Sequence, residues 1–269
     1  MTIRDLEILP LPPERKKDEH GWCFGLPPGI APIEWPLDPV TGWPLKHAFT
    51  LLLPEDHRIH GADLVALSFF ATSPEHVAET MPSDPALVAA VLGESSRVPG
   101  DPKLEPFWLA GRRAHPRLTR LRDDRGYAHA VVMLTRSEFD GPLCLPPELG
   151  ANPYLAHQPR PRWLDLGSLA DAWDTAPTDA PAGGSPLRRL LPERPSSRAE
   201  AALALRRRSV TARAPRPDRI GDDTRSLGAM ATIGPHVVRF AEWFGGLDFG
   251  GARAALDFAA MRLERSDFA

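Results

Sequence analysis

Two histidines stand three residues apart in the run Glu55-Asp56-His57-Arg58-Ile59-His60. Imidazoles at that spacing beside a carboxylate could begin a metal site, so His57, His60 and Glu55 are the candidate ligands for a metal-assisted hydrolase. Zinc wants three or four well-placed ligands, however, and Pro54 and Gly61 bracket the run as a turn. The structural reading is a solvated turn between strands, and no metal or cofactor is expected. His115, His129 and His157 lie near Arg112, Asp123 and Asp165 in sequence. Any one of them could act as a general base, although a lone histidine is usually a structural hydrogen-bonder. Ser68 sits in Leu67-Ser68-Phe69, without the Gly-x-Ser-x-Gly turn that exposes a nucleophile. Cys144, between Leu143 and Leu145, has neither of the usual thiol-protease contexts. No phosphate-binding glycine loop and no dinucleotide fingerprint is present. No catalytic residue is assigned.

The other chemistry-bearing feature is charge. Residues 185–219 hold ten arginines against three acids, a surplus of seven positive charges on a chain of formal net charge −3, so the remainder carries −10. Within that run Arg206, Arg207 and Arg208 are the candidate partner-binding residues, since arginine is enriched at interfaces. Phosphate binding is the competing use, but 185–219 contains no aromatic residue on which a base could stack. An acidic protein partner, or the chain's own acidic body, is the expected counterpart, rather than nucleic acid.

The elements that would position these residues are short. Thirty-one prolines exclude long helices and central strands from much of the chain. Apolar runs at 48–53, 63–70 and 128–134 read as strands, the first two buried on both faces. Residues 85–92 read as a helical turn or two, and 142–153 as a proline-rich connection. Residues 1–20 read as an exposed lead-in. Residues 174–185 are rich in Ala, Pro, Thr and Gly, and 174–228 reads as an excursion outside the main sheet. Within it, Ser197-Arg198-Ala199-Glu200 predicts a capped helix over about 198–208. At the C-terminal end, 254–258 and 261–264 pair as a hairpin, with a helix over 252–264 as the competitor. The expected fold class is α+β, β-rich, with a mixed or antiparallel sheet, long proline-rich loops and a few short helices in one domain, 1–269.

Composition sets further bounds. The hydrophobic fraction of 42% is enough for a sizeable core. Two cysteines, Cys23 and Cys144, do not make a disulfide scaffold and read as buried, reduced thiols. No stretch has the length of a signal peptide's apolar core or of a membrane span, so the expected location is cytoplasmic, with no membrane partner.

One stretch carries a resemblance. Gly25-Leu26-Pro27-Pro28-Gly29, Glu34-Trp35-Pro36, Gly42-Trp43-Pro44-Leu45, Thr50-Leu51-Leu52-Leu53 and Leu67-Ser68-Phe69-Phe70 follow one order. This resembles the front half of the YwqG-like family, a bacterial domain of unknown function. Phe249-Gly250-Gly251 with Leu256-Asp257-Phe258 is similar to that family's closing glycine-rich hairpin, so the likeness spans roughly 22–70 and 245–265. The arginine-rich insert and Ile233-Gly234-Pro235 depart from the pattern. The resemblance implies a β-rich domain with few helices. Trp35, Trp43, Phe69 and Phe70 are expected in one core. Members similar to it often sit beside polymorphic-toxin, toxin–antitoxin or type VI secretion genes. That implies an immunity protein which occludes a co-encoded toxin, with an adaptor or chaperone for a secreted effector as the further alternative to the hydrolase.

Overall fold

The computed structural model describes residues 3–8, 20–77, 83–166, 208–212, 231–242 and 244–266. Strand formation begins where apolar and β-branched residues run together. Leu64–Ala71 (β4) lies between Lys46–Leu52 (β3) and Ala128–Thr135 (β6), and all three are almost wholly buried. Leu118–Arg122 (β5) pairs with the far side of β6. Gly21–Cys23 (β2) pairs with β3. Arg4–Ile8 (β1), Arg208–Ala212 (β7), Ala231–Ile233 (β8), Val237–Ala241 (β9), Arg253–Asp257 (β10) and Arg262–Ser266 (β11) complete the order β11-β10-β9-β8-β1-β7-β2-β3-β4-β6-β5. Every ladder among the described strands is antiparallel. Among the described residues four short α-helices, Pro85–Leu92 (α1), Glu105–Arg112 (α2), Arg136–Phe139 (α3) and Trp163–Leu166 (α4), make the class α+β and β-rich.

The central strands are apolar on both faces because each face has its own cover. Leu67 and Phe69 of β4 and Val131 and Met133 of β6 point toward Phe240, Phe244, Phe249 and Phe258 from the β8–β11 half. Phe49 stacks on Phe69 at 5.2 Å and meets Phe240 edge-on at 5.0 Å. Phe70, Val132 and Leu134 face the other way, onto Trp35, Phe139, Cys144 and Trp163. A third cluster joins α1 and α2 to Leu37, Trp43 and Leu155.

The four aromatic residues expected in one core are all buried, but they divide among these three clusters. Phe69 and Phe70 are consecutive on a strand, and consecutive strand side chains point to opposite faces. Two further expectations need correction. Residues 1–20 are not wholly a lead-in, because Arg4–Ile8 lies inside the sheet between β7 and β8. The helix predicted to reach 208 does not, because Arg208–Ala212 is a strand. It pairs with β1 on one side and β2 on the other, so the 174–228 segment contributes a central strand. Val210 and Thr211 are β-branched, and pairing on both sides outweighs any helical start upstream. At the C-terminal end the hairpin prevails over the helix, with Leu256 opposite Leu263. The expected pieces at 185–207, including the capping box, lie outside the described residues.

Candidate functional site

The β3–β4 connection places the histidine pair. Glu55–His57 forms a single 3-10 turn, with His57 buried and Glu55 and His60 exposed. His57 Nε2 is 3.7 Å from the Asp56 carboxylate, and neither ring nitrogen makes a hydrogen bond. Burial pushes this imidazole below its ordinary value. Asp56 opposes the shift, while Arg4 and His236 add to it. His60 turns to the Phe258 carbonyl, 2.5 Å away. The three candidate ligands therefore do not converge. Among the described residues, no group of three or more His, Cys, Asp and Glu side chains could hold a metal ion.

Inside the sheet, His47, Thr50 and Ser68 form a polar chain across β3 and β4. His47 Nε2 is 2.9 Å from Thr50 Oγ1, which is 2.7 Å from Ser68 Oγ. All three are fully buried. Burial drives His47 down to about 3, against opposing bonds to the Gly25 and Phe49 backbone, so the ring is neutral at ordinary pH. A serine beside a histidine relay resembles nucleophile chemistry, but here Ser68 Oγ faces the core and reaches no surface. Burial also pushes the Cys144 thiol up to about 12, with Glu34 adding to the effect, which keeps it protonated. Cys23 and Cys144 are both buried and form no disulfide.

The remaining histidines of the sequence reading are placed as follows. His115 is buried 3.4 Å from Glu138, which pairs with Arg117 and closes the capping box of α3 through Thr135. Burial would raise Glu138, but the Thr135 and Arg117 contacts outweigh it and bring it to about 2. His157 and Arg112 are exposed. His129 and Asp123, six apart in sequence, do meet, because the β5–β6 turn folds them together. His129 Nε2 is 3.4 Å from Asp123 Oδ2, both side chains being almost wholly buried. Arg265 of β11 reaches the same carboxylate at 3.8 Å.

Arg208 is the first residue of β7, opposite Cys23. Arg206 and Arg207 lie outside the described residues. No family model, curated protein or solved structure matches this chain.

Sequence reading missed Arg265, Glu138 and His47. Two of them left a signal: Thr135-Arg136-Ser137-Glu138 is a capping-box sequence, and His47 breaks an apolar run. A polar Lys46-His47 step, with Thr50 and Ser68, interrupts otherwise apolar strands, and buried polar residues must find partners there. Arg265 leaves none, since its partner stands 142 residues away, across the sheet.

Proposed function

We propose that this protein works by binding another protein in the bacterial cytoplasm, most concretely as an immunity protein that occludes a co-encoded toxin. The observation that carries the reading is charge placement. The run 185–219, with its surplus of seven positive charges, contains β7, the strand that joins the two halves of the sheet. A charged run that includes a paired strand is suited to steering an acidic partner, which raises association rates at low salt. Among the described residues, several groups that could do chemistry are engaged in holding the fold. Ser68 and His47 bond each other through Thr50, Cys144 is held protonated, and His115 supports Glu138. The YwqG-like resemblance of 22–70 and 245–265 supports the same reading through the genes such domains accompany.

The test is co-expression with candidate toxins drawn from the genes that flank this one. Rescue of growth together with a stable one-to-one complex on gel filtration is expected. Rescue without a complex would count against occlusion, and a complex with no rescue against immunity.

A further inference from the structure

The first and last strands of the order, β5 and β11, adjoin with no ladder between them. Charge bridges the gap instead. Arg265 is almost wholly buried, with Nη1 3.8 Å from Asp123 and Nε 3.9 Å from Asp124. Its Nη2 donates to the Phe249 carbonyl, and its guanidinium lies 5.9 Å from the centre of the Phe249 ring. Asp123 is fixed from its own side, where Oδ1 accepts from the Arg125 and Tyr127 amides. His129 stacks on Phe69 and stands beside Phe249, which completes the cluster.

We propose that this cluster is a latch on a releasable terminal strand: Arg265 bolts β11 to the β5–β6 turn, and neutralising the cluster frees β11 while the rest of the sheet stays folded. Two observations make the strand separable. Of the β11 side chains described, Leu263 is in the core, whereas Arg262 and Glu264 are exposed and pair with each other. The bolt is also incompletely satisfied. Nε and Nη1 of Arg265 are buried without a hydrogen bond, and the ion pairs are long. Opening the cluster returns these unpaired, desolvated groups to water, which offsets part of the cost of breaking it. Release bares the edge of β10, a row of backbone groups able to pair with another strand.

The charged groups facing the Asp123 carboxylate are His129 from β6 and Arg265 from β11; Asp124 and Arg125 follow it in its own turn. Burial alone would raise Asp123. The adjacent His129 and the Tyr127 and Arg125 amides outweigh burial and hold it below the ordinary carboxylate range. Asp123 therefore keeps its charge, and its pairing with Arg265, to lower pH than an ordinary carboxylate would.

Hydrogen exchange on the full chain tests this. In Arg265→Met and Asp123→Asn, amides of 262–266 are expected to exchange at least about tenfold faster, with β3, β4 and β6 unchanged. The double variant should add little, because both substitutions remove one cluster. Uniform acceleration across the sheet would overturn the latch in favour of an ordinary core contact, and unchanged β11 exchange would overturn it outright. Should Arg265→Met not fold, Arg265→Lys keeps the charge but loses the fork. It must then show β11-selective acceleration of smaller size, and its absence counts equally against the proposal.

Discussion

Trp35 stacks on Trp163 at 5.9 Å, meets Phe70 edge-on and donates Nε1–H to the Leu45 carbonyl at 2.8 Å. Removing the ring leaves a cavity and an unpaired buried carbonyl. Trp35→Ala should lower unfolding free energy by about 3–5 kcal/mol. In urea this reads as a lower midpoint with an unchanged slope. A loss below about 1 kcal/mol would mean that the site collapses freely. His47 makes a pH prediction. Its folded value of about 3 lies below the ordinary 6.5, so the unfolded chain takes up the proton first. Stability from this group is present above pH 6.5 and is lost as pH falls toward 3, at about 1.4 kcal/mol per unit. His47→Gln should flatten the measured stability–pH curve over that window by about one proton. An unchanged slope would show that the ring is not held neutral. The burial of Trp35 was legible in the Trp-Pro pattern. The far end of the His47–Thr50–Ser68 chain was not, since Ser68 is distant in sequence and only the β3–β4 register sets it opposite Thr50.

At the scale of elements, β2 is three residues long and sits in the middle of the sheet between β7 and β3. Gly21 lets it do so. Its φ is +127°, and a Cβ there would stand 2.0 Å from the Thr50 carbonyl. Gly21→Ala must push β2 from β3, and a loss of more than about 3 kcal/mol is expected. Gly126, also at positive φ (+86°), has open space around its Cβ position, so Gly126→Ala should cost only about 1 kcal/mol. Equal losses would mean that backbone strain, and not the clash on β3, sets both. The long apolar strands β3, β4 and β6 and helix α1 were readable, because each carries its own periodicity or turn boundaries. Strands β1, β7 and β8 were not. Each is short and holds its place through two neighbours brought from elsewhere in the chain, which no local window contains. The three-way division of the core was hidden for a similar reason. It depends on which face each strand turns to the β8–β11 half.

For the whole molecule, the sheet folds over so that its two ends adjoin at Arg265 and its two halves meet at β7. Among the described residues, no helix is long and apolar enough to cross a membrane. The fold class was legible from proline density and short apolar runs. The binding reading rests on charge, which the sequence shows directly, and on the place where that charge enters the sheet, which it does not. Arg208 belongs to a strand, so the test leaves it in place and changes Arg206 and Arg207. The decisive measurement is the association rate of Arg206→Glu/Arg207→Glu with the protein partner that the co-expression test identifies, taken at low and at high salt beside the unaltered protein. The binding account predicts association slowed at least about tenfold at low salt, with the gap closing as salt screens the charges. An unchanged association rate with a lowered melting temperature would contradict it, and would make these arginines an internal tether to the chain's own acids.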